Sequence, residues 1–253
     1  KLIAETMGGA RLPFIAYLYG MVITRLLAYF APSLAMDLVG RGVALRNAGS
    51  DRSLGHSATQ IVVERLLDGL LPGFVLVGIV WAQALGTGLD PALLIGATLL
   101  AFFIASAPLL APMARIALKL FARLRRKENI STEVQLAPKT AWSVAALSVA
   151  RFACIVLQFG AVALGIGLSI PWVDMALATP VAQLASIVGI TPGALGFQEA
   201  GWAGAFSWLG YDGVDSSLYI LAQRACVLAY FAVLSALCWP FARRQRRAVS
   251  PDA

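Results

Sequence analysis

The segment from 190 to 201 reads Ile-Thr-Pro-Gly-Ala-Leu-Gly-Phe-Gln-Glu-Ala-Gly, and it decides how this chain folds. Its Pro192-Gly193 pair breaks helices, and its one carboxylate is Glu199. The apolar arm before it has about 15 residues and would rise about 22 Å as a helix, against a hydrocarbon core of about 30 Å. Backbone that is not helical survives at membrane depth only where protein buries it or where it lines a wet cavity. The pattern therefore predicts a re-entrant, broken helical element over about 176–209.

The composition of the chain is that of a membrane protein. Of its 253 residues, 59% are hydrophobic and 13% are charged, about half the charged share of a soluble protein. We expect an all-α polytopic membrane protein with a single transmembrane domain over 1–253, a helical bundle with two broken re-entrant elements. Pro108 and Pro112 should kink the third span or divide it in two. The spans are about 12–30, 60–85, 92–120, 140–168 and 216–241, and the broken elements are about 31–46 and 176–209.

Positive charge is confined to one set of connections. Basic clusters at 41–52, 119–127 and 243–247 alternate with connections whose only charged residues are acidic. Loops rich in Lys and Arg stay in the cytoplasm, so we expect a multi-pass protein of the cell inner (cytoplasmic) membrane with its basic loops and C-terminus inside. The net charge of +7 then reflects topology and attraction to the inner leaflet, and no nucleic-acid binding is expected. Lys1 and Arg11 fall on the outer side, which a missing preceding helix or an interfacial segment would explain.

The second span carries charges at helical spacing. Gln60, Glu64 and Asp68 recur every four residues and share one helix face. That face must point into the bundle, because a charge at mid-bilayer costs about 2.5–3.5 kcal/mol even on the mildest scales. Two interpretations stay open. Either Arg65 pairs with Asp68 in a local bridge, or Glu64 and Asp68 hold a cationic residue in place or take up a proton.

Two arginines lie inside other spans. Arg151 is about a third of the way into the fourth span, and Arg224 is in the middle of the last. Guanidinium groups that face a cavity suit a phosphate, because their planar donors match its oxygens two at a time. The free N–H groups at the start of the half-helix after the Pro192–Gly196 turn favour anions as well. The alternative for Arg224 is a pair with Glu64 or Glu199 that holds helices together.

Earlier in the chain, at about 31–46, a first and weaker broken element follows the first span on the cytoplasmic side. It contains Pro32, then Asp37 and Arg41, and it precedes a polar loop. One broken segment that opens inward and another that opens outward are typical of inverted-topology repeats. We therefore consider Asp37 and Arg41 as a cytoplasmic gate.

Classical catalytic and cofactor signatures are missing from the sequence. There is no GxSxG, Walker A, HExxH, paired CxxC or Gly-rich dinucleotide motif. We expect no catalytic residue, no cofactor and no metal site. The three cysteines, Cys154, Cys226 and Cys238, lie in apolar runs and are expected to pack in the interior without a disulfide.

Three motifs carry a family resemblance. Glu-Arg-x-x-Asp stands at 64–68, Pro-Gly-x-Leu-Gly-x-x-Glu stands at 192–199, and Arg224 follows in the last span. Together they resemble the transmembrane region shared by lysylphosphatidylglycerol synthases/flippases and stand-alone flippase-like membrane proteins. The resemblance runs over about 29–243. The chain departs from the family's Pro-x-x-x-Gly-Asp/Glu-x-x-Arg pattern, because Met36 replaces the glycine and the arginine is displaced by one position.

The resemblance implies a lipid translocator, a flippase that moves an anionic, aminoacylated or polyprenyl-linked lipid between leaflets. Its partners would be membrane lipids with a phosphate headgroup, and a homo-oligomer or a partner synthase stays open. Two other classes remain as alternatives: an intramembrane lipid-modifying transferase with Glu199 or Asp68 as general base, and a non-transporting accessory subunit. The residues expected to bind or translocate the substrate are Glu199, Arg224, Glu64, Asp68, Arg151, Pro192, Gly193 and Gly196.

Overall fold

The computed structural model describes residues 12–50, 54–124, 138–187 and 191–249. Regular structure in these ranges is helical, and one isolated bridge joins Pro32 to Pro192. The prediction of an all-α fold is confirmed. Besides the short turn Ser33–Ala35 and the π-helical segment Met36–Gly40, the helices are α1 Phe14–Leu27, α2 Arg41–Asn47, α3 Leu54–Ala84, α4 Pro91–Leu124, α5 Pro138–Gly165, α6 Trp172–Ile187, α7 Phe197–Leu209 and α8 Gly213–Val249.

Two helices in the described ranges are long and apolar enough to cross a membrane. They cover Lys139–Gly165 within α5 and Gly213–Phe241 within α8. The other apolar helical stretches are shorter, namely α1, Asp68–Ala84 within α3 and Pro91–Ser106 within α4. Large apolar side chains cover the outward faces of α5 and α8, among them Leu147, Leu221 and Leu237. Apolar faces this extensive are typical of helices that contact lipid rather than water.

Of the two outcomes expected for the third span, a kink or a division, the division is not found. α4 runs without interruption from Pro91 to Leu124, with Pro108 and Pro112 inside it. A proline removes one backbone donor, and a helix in an apolar environment keeps the remaining hydrogen bonds because no water competes for them.

The expected interior packing of the cysteines is only partly found. Cys238 is buried, whereas Cys154 and Cys226 are exposed on α5 and α8. All three are free thiols. Since cysteine is a small apolar residue, it is compatible with an outward, apolar helix face as well as with the core.

The two short helices α6 and α7 pack against each other at the centre of the fold. Their 16 and 13 residues rise about 24 and 20 Å, too little to cross a bilayer separately. Gly201 allows the close approach, because a Cβ there would lie 2.9 Å from the Cα of Ala182. Trp202 and Phe206 on the same helix are fully buried and stack on each other, and the buried Tyr219 of α8 packs edge-on against both. The second broken element is therefore a hairpin held in the core.

A polar contact fixes the far ends of this hairpin. The Tyr211 hydroxyl, in the connection after α7, donates to Asp174 Oδ2 in the first turn of α6 at 2.6 Å. Burial and this hydrogen bond raise the pKa of Tyr211 above its ordinary value. The phenol therefore stays protonated and keeps its donor at neutral pH.

The first broken element is interrupted differently. After α1 ends, Pro32 precedes the turn Ser33–Ala35, and Met36–Gly40 is π-helical before α2 begins at Arg41. π-helical segments are rare and frequently occur at functional sites. Here the segment places Asp37, which is 3% exposed, towards the interior.

Some of the sequence expectations lie outside the described residues. These are the two N-terminal basic residues, the loop at 125–137, and the side chains of Gln60 and of the C-terminal arginines at 243–247.

Candidate functional site

The break in the second element is a tight turn at 191–196. Gly193 and Ala194 both have positive φ, 59° and 54°, and Gly196 follows with a φ of 85°. The turn is closed by the N–H of Ala194 on the oxygen of Thr191 and by the Thr191 hydroxyl on the oxygen of Leu195. A left-handed alanine is uncommon and strained, and such residues are concentrated at functional sites.

This turn touches the end of α1. The N–H of Gly193 donates to the oxygen of Ala28, and Pro192 forms an antiparallel bridge with Pro32. Tyr29 lies beside Gly193, since a Cβ on that glycine would be 3.5 Å from the Tyr29 Cα. The two broken elements therefore meet at their interruptions. The sequence predicted both interruptions but not this contact.

Glu199 and Arg224 form an ion pair next to the turn. The Arg224 Nε donates to Glu199 Oε1, and its Nη1 donates to the Gly193 oxygen at 2.9 Å. The guanidinium also lies 5.8 Å from the centre of the Tyr29 ring, within range of a cation–π contact. Of the two carboxylates considered for Arg224, the structure pairs it with Glu199. Its Nη2 is buried without a hydrogen-bond partner among the described residues.

The start of α7 does not offer the free donors that the sequence suggested. Glu199 Oε2 accepts the N–H of Gly196 at 2.8 Å, so the carboxylate occupies the helix N-terminus itself. The N–H groups of Phe197 and Gln198 both donate to the oxygen of Ala194. An anion could use this helix end only after Glu199 has moved away.

Around the first broken element, the charges pair across helices rather than along one. Arg65 on α3 forms an ion pair with Asp37, not with Asp68 three residues later. Glu64, also on α3, is 2.6 Å from the Nη1 of Arg41. The local Arg65–Asp68 bridge is therefore not formed, and Glu64 holds a cationic residue of another element.

Asp68 pairs instead with Arg151 of α5, and this pair lines a cleft. The Arg151 Nη1 donates to Asp68 Oδ1, and both side chains are partly exposed. The cleft between α3, α5 and α6 is small, with a volume of about 10 Å³ that has room for about one water molecule. Gln183 faces it from α6, and its Nε2 is buried without a hydrogen-bond partner in the described part of the chain. The remaining lining residues are Leu71, Pro72, Ser148, Phe152 and Ile155.

Sequence reasoning missed two members of this site, Gln183 and Arg25. Arg25 lies in the last turn of α1, with its Nη1 4.0 Å from Asp37 Oδ2. A signal was present, because a charge inside an apolar span needs a partner or a cavity. Gln183 gives a weaker signal, since an uncharged amide in an apolar helix is common.

The fold and the site together define an α-helical integral membrane protein whose charged side chains lie inside the bundle. Guanidinium groups in such a place can bind phosphate, and carboxylates can bind ammonium. The chain belongs to the family described as "Lysylphosphatidylglycerol synthase TM region", whose profile matches residues 1–236. No curated protein and no solved structure matches the chain. The family gives it a membrane lipid-related function.

Proposed function

We propose that this protein is a lipid translocator that moves a lipid with a phosphate-bearing headgroup between the leaflets of the cytoplasmic membrane. The supporting observation is that two broken elements meet at Gly193 and Ala28, with paired charges on both sides of the contact. Broken helices that meet inside a membrane are the usual way in which transporters build a polar site at depth.

In each ion pair, the carboxylate would occupy the position on the arginine that the phosphate of the headgroup takes. Arg151 is neutralised by Asp68 and Arg224 by Glu199. An incoming phosphate would replace the carboxylate on the guanidinium, which keeps the arginine paired in a medium where an isolated charge is costly. The released carboxylate would then be available for the ammonium of an aminoacylated headgroup or for a proton.

The cleft marks where the headgroup would first be bound, because it brings together a cation, an anion and the amide donor of Gln183. It would have to widen to admit a headgroup, since its volume of about 10 Å³ has room for about one water molecule. The acyl chains would stay in the lipid outside, along the apolar faces of the neighbouring helices. We place the basic loops and the C-terminus in the cytoplasm, as their Lys and Arg content favours.

Leaflet-specific lipid exchange in liposomes tests this function. Purified protein is reconstituted with a headgroup-labelled phosphatidylglycerol, and a membrane-impermeant quencher reports the fraction left in the outer leaflet over time. The variants Glu199→Gln and Arg224→Ala each leave a partner unpaired at the contact of the broken elements. We expect exchange to slow by about tenfold or more, the equivalent of about 1.4 kcal/mol in the barrier.

Matched controls remove charges that lie outside the site. Lys139→Gln removes an exposed cation at the start of α5, and Asp90→Asn removes an exposed carboxylate while keeping a cap at the start of α4. Both should exchange lipid like the natural chain. Unimpaired exchange in Glu199→Gln and Arg224→Ala would reject the proposal, a new lipid product would favour a transferase, and neither exchange nor product would favour an accessory subunit.

A further inference from the structure

The charges around Asp37 are not balanced. Asp37 is the most buried of the paired carboxylates, with 5% of its side chain exposed, and it is shared by two arginines. Arg65 forms the close ion pair. Arg25 reaches the same oxygen, Asp37 Oδ2, only at 4.0 Å, which is beyond hydrogen-bond distance. One carboxylate therefore faces two guanidinium groups.

The other three ion pairs inside the described bundle each join one arginine to one carboxylate. Arg41 pairs with Glu64, Arg151 with Asp68, and Arg224 with Glu199. Arg25 differs from these arginines, because the carboxylate that it reaches, Asp37, forms its close ion pair with Arg65. Among the described ion pairs, positive charge therefore exceeds negative charge by one, and an excess cation at low dielectric is unfavourable unless an anion approaches it.

Arg25 is also placed where a ligand can reach it. About 31% of its side chain is exposed, compared with 20% for Arg65. Tyr29 follows one helical turn later and lies against Arg224. The end of α1 therefore connects the charges of the first broken element with the Glu199–Arg224 pair of the second.

We propose that Arg25, which lies beside Asp37 and four residues before Tyr29, is an anion site for a phosphate group. The shared chemistry is a phosphate monoanion, which a lipid headgroup or free inorganic phosphate could supply. Only the role of this site in translocation depends on the proposed function. Binding itself follows from the charge imbalance and can be measured without transport.

The experiment uses the full chain in a non-ionic detergent with two probes, short-chain dioctanoyl phosphatidylglycerol and inorganic phosphate. Affinity is read from the shift of the thermal unfolding midpoint with probe concentration. Arg25→Gln should weaken lipid binding by about tenfold, corresponding to about 1.4 kcal/mol. Arg46→Gln is the matched control, since it removes an exposed cation in the last turn of α2 and should bind as the natural chain does.

The outcomes separate the sources and the rival explanations. Loss of lipid binding alone identifies a lipid headgroup site, and loss of binding for both probes identifies a general phosphate site. Equal binding in Arg25→Gln and the natural chain, or an equal loss in Arg25→Gln and Arg46→Gln, overturns the proposal. Lipid binding that depends on Arg25 without any lipid exchange would reject the proposed function and keep this site.

The unfolding temperature of Arg25→Gln is an independent test of the proposal. If Arg25 is an unpaired excess cation, Arg25→Gln should unfold at the same or a higher temperature than the natural chain when no probe is present. A large decrease with probe binding intact would mean that Arg25 is a structural partner of Asp37 and would overturn the proposal. Should Arg25→Gln not fold, Arg25→Lys keeps the charge and must bind the lipid probe more weakly than the natural chain, because its ammonium lacks the paired donors.

Discussion

The break between α6 and α7 and the break between α1 and α2 differ in how the chain is interrupted and in how its charges are balanced. The α6–α7 break is a turn with positive-φ residues at Gly193, Ala194 and Gly196, and it reverses the chain. The α1–α2 break leaves the helix at 28–32, and from Ser33 the backbone is helical again through the π-helical segment Met36–Gly40. A sharp turn frees backbone groups that the surrounding protein must satisfy, whereas a π-helical segment rotates side chains without leaving the helix.

The two breaks also differ in how their charged side chains are paired. At the α6–α7 turn, Glu199 and Arg224 neutralise each other and are tied to the turn backbone. At the π-helical segment, Asp37 has two arginine neighbours from two other helices. The turn holds one ion pair, whereas at the π-helical segment one carboxylate is shared by two arginines. The comparison indicates that the two broken elements are not equivalent in their charge balance.

The largest effect is expected from Asp37→Asn. It would leave Arg65 and Arg25 without their shared carboxylate in a buried position, and breaking a buried ion pair costs about 3–5 kcal/mol. We expect a much lower unfolding temperature, measured in detergent by the fluorescence of the six tryptophans. Adding Arg25→Gln to this variant should recover part of the loss. If the double variant is no more stable than Asp37→Asn, Arg25 is not an excess positive charge beside Asp37.

The second largest effect is expected from Gly193→Ala in the α6–α7 turn. Its φ of 59° disfavours alanine by roughly 1–2 kcal/mol, and the new Cβ would lie 2.9 Å from Arg224 Nη1. We expect lower stability together with slower lipid exchange, because Arg224 must shift away from Glu199. Gly204→Ala on α7 has open space around it and should be neutral or stabilising. Normal exchange in Gly193→Ala would show that the position of Arg224 is not critical.

Ala194→Gly should raise the stability of the protein, whereas Gly193→Ala lowers it. Glycine relieves the left-handed strain at a φ of 54° and loses somewhat more backbone entropy, so the net gain in stability is about 0.5 kcal/mol. The same change at the exposed, helical Ala203 should destabilise the protein by about 1 kcal/mol. Equal losses at both positions would contradict the strain at the turn.

The smallest effect on stability is expected from Gln183→Leu. The Nε2 of Gln183 has no partner in the described ranges, so replacing the amide by an apolar group of similar size removes no protein hydrogen bond. Stability should stay the same or rise slightly, while lipid exchange falls if the amide contacts the headgroup. Gln83→Leu, at an exposed position near the end of α3, is the control. A clear loss of stability in Gln183→Leu would mean that the amide has a structural partner.

Much of the fold was predictable because local chemistry controls it. The apolar runs, the Pro192-Gly193 break and the isolated charges each act within a few residues, and they were enough to predict an all-α fold. The continuity of α4 through its two prolines was not predictable from those prolines alone. Proline weakens a helix locally, and whether the helix continues depends on its surroundings.

Sequence reasoning found some of the charged residues that the structure brings together, but not how they pair. Glu64, Asp68, Arg151, Glu199 and Arg224 were identified from charge in apolar spans, whereas Arg25 and Gln183 were missed. The bond between Arg65 and Asp68, one of two interpretations left open by the spacing, is not formed. Each arginine has several carboxylates within reach of its long side chain. The choice is made by the packing of α3 against the π-helical segment and α5, which spacing along one helix cannot specify.

The sequence by itself determined that this protein is an α-helical membrane protein, broken at 190–201, with charges that must face inward. Those properties follow from the transfer energies of side chains and from the backbone preferences of Pro and Gly, which are local. Only the tertiary structure decided that Gly193 meets Ala28, that Glu199 caps α7 while it holds Arg224, and that Asp37 is shared by two arginines. Such contacts join residues far apart in the chain, and their energies depend on which helices pack together.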